Sequence, residues 1–102
     1  MKREKYIIQT DAVRVRVMEF LPGEATPWHF HSEVTDHMVC LTGVIVVHLK
    51  QSTARLELQP GQRCTIEVCR VHQVANNSHT EPASYLLIQG VGRYDFNTVD
   101  FE

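Results

Sequence analysis

Short apolar runs separated by turn residues follow one another along the whole chain. Val13, Val15 and Val17 alternate with arginine and methionine, a period-two pattern that predicts a half-buried strand, and Pro22-Gly23 ends it. Turn signals then recur about every 8 to 12 residues, and no window of about eleven or more residues carries a convincing helical stripe. The pattern therefore predicts an all-β sandwich or barrel.

The predicted strands cover most of the chain between its ends. They occupy residues 12–20, 36–41, 44–50, 54–58, 63–68, 71–75 and 83–91. Pro27 biases Thr26 toward extended geometry, so extended chain is also expected just after it. Thr42-Gly43 predicts a hairpin between strands 36–41 and 44–50. Residues 93–102 are either a free tail or an edge segment that packs elsewhere.

Size and charge limit the classes of protein that the chain can belong to. Its 102 residues are enough for a single domain, 1–102. Ten basic and twelve acidic residues give a net charge of −2, which argues against a nucleic-acid partner. No apolar run approaches the roughly 18 residues of a membrane span, so neither a membrane partner nor a signal peptide is expected. Three cysteines, an odd number, favour a reducing, cytoplasmic location.

Two of the six histidines are spaced so that they can act together. His29 and His31 are two residues apart on chain expected to be extended, so their side chains face the same side, about 7 Å apart along the backbone. Neutral imidazoles held in this way can converge on one metal ion. The spacing alone is a weak signal, and its surroundings carry more information.

Those surroundings resemble the two signatures of the cupin family. The first is a glycine, five residues, His-x-His, three or four residues, a glutamate, six residues and a glycine, and here it reads Gly23, EATPW, His29-Phe30-His31, SEVT, Asp36, HMVCLT, Gly43. The second is a glycine, five residues, Pro-x-Gly, two residues, a histidine, three residues and an asparagine, and here it reads Gly61, QRCTI, Glu67-Val68-Cys69, RV, His72, QVA, Asn76. The resemblance covers residues 23–43 and 61–76 and implies a single cupin jelly-roll β-barrel.

The resemblance also implies a metal site made of His29, His31, Asp36 and His72. Imidazole and carboxylate ligands do not select among iron, manganese, nickel, copper, cobalt and zinc, so the cofactor is expected to be one of these divalent ions. Asp36 stands where the family has glutamate, one methylene longer, and it is either a direct ligand or a residue that orients one. Because neighbours on a strand face opposite sides, His37 replaces Asp36 only if the strand is irregular.

Two further predictions concern the surroundings of this site. Glu67 and Cys69 occupy the proline and glycine positions of the second signature, so the turn before His72 must be built differently. Strand parity and composition suggest an apolar wall for the barrel mouth, consisting of Met38, Cys40, Val46, Tyr85, Leu87 and Ile88.

The cupin barrel hosts many unrelated activities, so the resemblance restricts function only broadly. We expect a metal-dependent enzyme acting on a small organic substrate, with a dioxygenase as the leading hypothesis. A non-catalytic ligand-binding or sensing protein is the first alternative, and an isomerase or decarboxylase using the same metal site is the second. The resemblance and the regular strand at 12–20, which could pair across a two-fold axis, together predict a homodimer.

Overall fold

The computed structural model of the protein describes residues 3–52 and 55–100, and all regular structure in this part is β. The strands are β1 Arg3–Gln9, β2 Arg14–Phe20, β3 His29–Phe30, β4 Thr35–Thr42, β5 Ile45–Leu49, β6 Arg55–Leu58, β7 Arg63–Ile66, β8 His72–Ala75, β9 Ala83–Gly90 and β10 Asn97–Thr98. The predicted all-β class is confirmed. Among the described residues no helix is long and apolar enough to cross a membrane.

The strands form two antiparallel sheets of five strands each. The first sheet has the order β1-β2-β9-β4-β7 and the second has the order β10-β3-β8-β5-β6. Side chains from both sheets meet in one apolar core, where the rings of Phe20 and Tyr85 make an edge-to-face contact at 5.8 Å. Alternation along the strands places every second side chain in this interior.

The hairpin predicted at Thr42-Gly43 is wrong. β4 pairs with β7 and β9 in the first sheet, whereas β5 pairs with β6 and β8 in the second. The turn therefore carries the chain from one sheet to the other. Gly43 has a φ of +69°, and a Cβ there would lie 2.5 Å from the carbonyl oxygen of Pro82. Two consecutive strands bury their apolar side chains in a shared core whether they pair in one sheet or lie in two facing sheets. The apolar pattern of β4 and β5 therefore does not show that the chain changes sheets between them.

The N-terminal part of the chain differs from the prediction in two ways. A strand missed by the sequence reading, β1, pairs along β2, and β9 pairs along its other side. The expectation that strand 12–20 lies free at an edge is therefore wrong, since β1 occupies that position. The buried face of β2 carries Arg16, Met18 and Phe20 rather than the valines.

The last residues form an edge segment instead of a free tail. Asn97 and Thr98 pair with Phe30 and His29, so β10 extends the second sheet beside β3. Val99 also donates its backbone N–H to the carbonyl of Trp28 at 2.9 Å. Residue 54 of the predicted strand 54–58 and residues 101 and 102 of the segment 93–102 lie outside the described residues, and the other predicted strands agree with the structure to within three residues at each end.

Candidate metal centre

Three histidines converge between the two sheets. His29 on β3 is paired in register with His72 on β8, and His31 follows β3 directly. One ring nitrogen from each residue lies within 4.8 Å of the others. All three side chains are buried. The structure thus brings together the three imidazoles that the sequence reading selected.

Backbone carbonyls fix the protonation pattern of these rings. Nδ1 of His29 lies 2.8 Å from the Pro27 carbonyl, and Nδ1 of His72 lies 2.8 Å from the Arg70 carbonyl. Nδ1 of His31 is 2.6 Å from the carbonyl of Asp95. A carbonyl only accepts, so each neutral ring carries its proton on Nδ1 and leaves the lone pair on Nε2. Such hydrogen bonds commonly orient metal-binding histidines.

Asp36 approaches two of these three rings from the opposite sheet. It lies at the start of β4 with its side chain buried, and its Oδ2 is 3.4 Å from Nε2 of His31 and 3.3 Å from Nε2 of His72. His37 faces outward, where its Nδ1 contacts the hydroxyl of Thr65 at 3.3 Å. The regular alternation of β4 therefore places Asp36 inside and removes His37 from the site.

The donor set fits a divalent transition ion. Among the described residues, Nε2 of His72 is buried and has no hydrogen-bond partner. With Nδ1 protonated, the Nε2 lone pairs of His31 and His72 lie beside a carboxylate oxygen, an arrangement that a bound cation stabilises. Donors that each lie about 2.1 Å from a shared ion are about 3.0–3.4 Å apart, which matches the observed separations of 3.3 and 3.4 Å.

Burial and charge shift the protonation equilibria of these groups in different directions. Burial lowers the pKa of His29 to about 4, partly offset by its hydrogen bond to Pro27. Burial also acts to lower the pKa of His31, but the hydrogen bond and charge of Asp36 outweigh it and raise that pKa. Burial opposes ionisation of Asp36, yet contacts with His31 and His72 hold its pKa below the usual range. The site therefore favours an ionised Asp36 and a neutral His29 near pH 7.

Two residues missed by the sequence reading extend the polar network beyond Asp36. Gln89 on β9 is the cross-strand partner of Asp36, and its Nε2 donates to Asp36 Oδ1 at 2.9 Å. Arg16 on β2 donates from Nη2 to Gln89 Oε1 at 2.5 Å and from Nη1 to Glu4 Oε1 at 3.1 Å. Arg16 and Gln89 are both buried. A sequence signal existed, because Arg16 lies at the same strand parity as the apolar Met18 and Phe20.

A short C-terminal segment packs against the histidines and lines the cavity beside them. We call residues 93–99 the C-terminal strap. The ring of Phe96 stacks on His29 at 4.3 Å with an interplanar angle of 17°, and Tyr94 lies 5.5 Å from the ring of His31. Asp95 also accepts hydrogen bonds from the backbone N–H and the hydroxyl of Ser32. The strap leaves a cavity of about 20 Å³ beside the histidines.

The predicted apolar wall is correct for half of its members. Met38, Tyr85 and Leu87 line the cavity. Cys40 and Val46 are buried in the interior away from it, and Ile88 lies on the opposite face of β9. Five of the six residues are buried and face the interior, and position along the barrel decides which of these five reach the site.

The turn before His72 is built around a cysteine in an unusual conformation. Arg70 N–H bonds to the Glu67 carbonyl at 3.3 Å, and Cys69 between them has a φ of +63°. A four-residue turn with positive φ at its third position is the type II geometry that favours glycine. Cys69 thus occupies the glycine position of the family signature in a conformation that favours glycine.

These observations agree with the comparison against protein families. Residues 16–89 match the family described as the cupin domain. Because the match spans most of the chain, the chain belongs to the cupin family. The two antiparallel sheets are accordingly the cupin jelly roll. A comparison with curated proteins found no match.

Solved structures support the same fold. A conserved Klebsiella pneumoniae protein with a double-stranded β-helix domain gives a TM-score of 0.83 at 19% identity, covering 98% of this chain and 85% of that one. The polyketide cyclase RemF from Streptomyces resistomycificus gives 0.84 at 20% identity, covering 99% and 72%. A recombinant oxalate oxidase in complex with glycolate gives 0.78 at 16% identity, covering 95% and 54%, so this chain spans about half of that oxidase. At these identities the likeness establishes the fold alone.

Proposed function

We propose that the protein binds a divalent transition metal ion through His29, His31, His72 and Asp36 and uses it to act on a small organic substrate. The observation that carries the proposal is the convergence of Nε2 lone pairs and a carboxylate oxygen at 3.3–3.4 Å, with the buried Nε2 of His72 otherwise unpartnered among the described residues. Dioxygenase chemistry is the leading reaction class. It is consistent with a fold that also serves an oxidase and a cyclase.

Each residue has a distinct task in this scheme. The histidines hold the ion through Nε2 while their backbone partners keep the rings from turning. Asp36 supplies one negative charge, so a divalent ion keeps a net charge of +1 and attracts an anionic or oxygen-donor ligand. A bound transition ion supplies Lewis acidity and, when it is redox-active, the capacity to activate dioxygen. Tyr94 and Phe96 supply an aromatic lining beside the histidines.

Metal content tests the binding part of the proposal. Protein expressed without chelators should contain close to one equivalent of a first-row ion by inductively coupled plasma mass spectrometry. The His29→Ala/His72→Ala variant should contain none, whereas His79→Ala, in an exposed loop, should match the parent protein. Absence of metal in the parent protein even after reconstitution would remove the proposal.

Oxygen uptake tests the reaction class. Metal-loaded protein is mixed with candidate diketones, thiols and flavonoids, and oxygen consumption is compared with that of His31→Ala. A dioxygenase consumes oxygen only with the intact site. Product formation without oxygen uptake would instead favour an isomerase or decarboxylase acting at the same ion.

A non-catalytic binding or sensing protein is the second candidate. The observation that favours it is the cavity of about 20 Å³, which has room for about one water molecule. A cavity of this size does not admit an organic substrate unless the residues that line it move. Stoichiometric metal together with equal, background turnover in the parent protein and His31→Ala would favour this candidate.

We also propose a homodimer, with β1 rather than strand 12–20 as the contact. β1 ends the first sheet, and Ile7 and Ile8 on it are 55% and 52% exposed. Light scattering should give twice 11.7 kDa, and Ile8→Lys should shift the protein to monomer, while Leu56→Lys on β6 should not. A parent protein that is monomeric at all concentrations would contradict this.

The three unpaired cysteines support the proposed cytoplasmic location.

A further inference from the structure

We propose that Gln89, held in one orientation by Arg16, is the positioning residue that aims Asp36 at the metal ion. The inference rests on the proposed metal site. It concerns the point at which this chain departs from the cupin signature, because aspartate is one methylene shorter than glutamate and has less freedom to reach an ion. A shorter ligand needs firmer support from the residues behind it.

The orientation of the Gln89 amide follows from its neighbour. A guanidinium group only donates hydrogen bonds. The amide atom 2.5 Å from Arg16 Nη2 must therefore be the oxygen, Oε1. The amide nitrogen is then directed the other way, toward Asp36 Oδ1 at 2.9 Å and His31 Nε2 at 3.4 Å. Arg16 thus determines that Gln89 presents a donor to Asp36.

The hydrogen bond from Gln89 gives the two oxygens of Asp36 different partners. Oδ1 is occupied by Gln89, which leaves Oδ2 as the oxygen that faces Nε2 of His31 and of His72. Cross-strand pairing of Asp36 with Gln89 fixes the distance between their backbones. Without the amide donor, Oδ1 loses the hydrogen bond that holds the carboxylate in this rotation.

Arg16 is itself anchored at the outer end of the network. Its Nη1 lies 3.1 Å from Oε1 of Glu4, whose side chain is 29% exposed, whereas that of Arg16 is 4% exposed. The network therefore runs from the barrel surface through Glu4, Arg16 and Gln89 to Asp36. The buried arginine charge is balanced by Glu4, so the orienting role of Arg16 does not depend on a bound anion.

The test compares metal binding in Gln89→Leu, Arg16→Met and the double variant. Ser84→Ala is the control. Ser84 lies on β9, as Gln89 does, and the substitution removes a side-chain hydrogen bond to Thr42 away from the site. Co²⁺ is the probe: competition with a chromophoric chelator gives its affinity, and its visible absorption spectrum reports the ligand geometry. Circular dichroism confirms folding of each variant.

We expect Gln89→Leu to lower Co²⁺ affinity about 10- to 100-fold and to change the Co²⁺ spectrum. Arg16→Met should have the same kind of effect but a smaller one. If the two residues act in series, the double variant matches Gln89→Leu alone. Affinities and spectra equal to those of Ser84→Ala would overturn the inference, as would losses in the double variant that add independently.

A second measurement needs no metal and covers the case in which a variant fails to fold. In the parent protein, the side-chain amide protons of Gln89 should exchange slowly with solvent by NMR, because they are donated to a buried carboxylate. Rapid exchange would overturn the inference. Failure of the parent protein to bind Co²⁺ would count against the proposed metal site, whereas normal binding in Gln89→Leu would count against the positioning role alone.

Discussion

His29 on β3 and His72 on β8 are direct cross-strand partners, with their ring centroids 4.3 Å apart. This is the one residue pair in register between the two strands, and β3 has only two residues. A ligand that binds both rings therefore joins a weakly paired segment to the body of the sheet. Stability and metal binding should be linked at this point.

Metal should stabilise the folded protein. An ion present at about 100 times its dissociation constant is expected to raise the free energy of unfolding by about 2.7 kcal/mol, because it binds the native site and not the unfolded chain. Urea unfolding with and without Zn²⁺ measures the change. The His29→Ala/His72→Ala variant should show none, and an equal gain in that variant would place the ion elsewhere.

The metal-free protein should lose stability in acid because of His29. Its pKa of about 4 in the folded state lies below the unfolded value of about 6.5, so between these pH values only the unfolded chain takes up the proton. The contribution disfavours folding increasingly as pH falls from 6.5 to 4, by up to about 3 kcal/mol. Urea unfolding across this range should show a smaller decline in His29→Gln. NMR titration of the imidazole gives the pKa directly, and a value near 6.5 would contradict the prediction.

When the pH is lowered, metal affinity should begin to fall while the pH is still above 6.5. The charge and hydrogen bond of Asp36 raise the pKa of His31 despite its burial, so this ring takes up a proton before an ordinary histidine does. That proton must leave before Nε2 binds an ion, and each displaced proton weakens affinity by up to about tenfold per pH unit. Calorimetric titration with Zn²⁺ at pH 7.5 and 5.5 provides the comparison. Equal affinities at both values would be inconsistent with imidazole ligation.

Cys69→Gly should stabilise the protein by about 0.5–1 kcal/mol. Cys69 has a φ of +63°. The steric strain of a Cβ in this conformation is larger than the conformational entropy that glycine loses on folding. Urea unfolding measures the gain. Val68→Gly, in the same turn but without a positive φ, should be destabilising. A loss of stability in Cys69→Gly would show that its side chain matters more than its backbone strain.

Asn76→Asp should lower the free energy of unfolding by about 3 kcal/mol. Nδ2 of the buried Asn76 donates to the carbonyls of Phe20 at 3.2 Å and Glu81 at 2.8 Å. An aspartate oxygen at that position faces two acceptors and leaves them without a donor. The urea midpoint should fall sharply, while Asn77→Asp, at an exposed neighbouring position, should change little. Similar midpoints for both variants would argue against this structural role of Asn76.

The sequence was sufficient to predict most of the local structure and the residues that gather at the candidate site. Alternating apolar residues and turn signals predicted most strands because side-chain period and backbone conformation are local properties. The spacing of His29, His31 and His72 within the family signatures selected residues that the structure brings together. Alternation also predicted that Asp36 rather than His37 faces inward, and it does.

Only the tertiary structure decided which strands pair and what supports the site. The chain switches sheets at Gly43, where its backbone approaches Pro82 closely, a contact between residues far apart in sequence. Gln89 and Arg16 become relevant only when β9 and β2 bring them behind Asp36. The C-terminal strap lines the cavity because β10 pairs with β3. Such relationships depend on how segments that are distant in sequence pack together, and a local sequence pattern does not specify that packing.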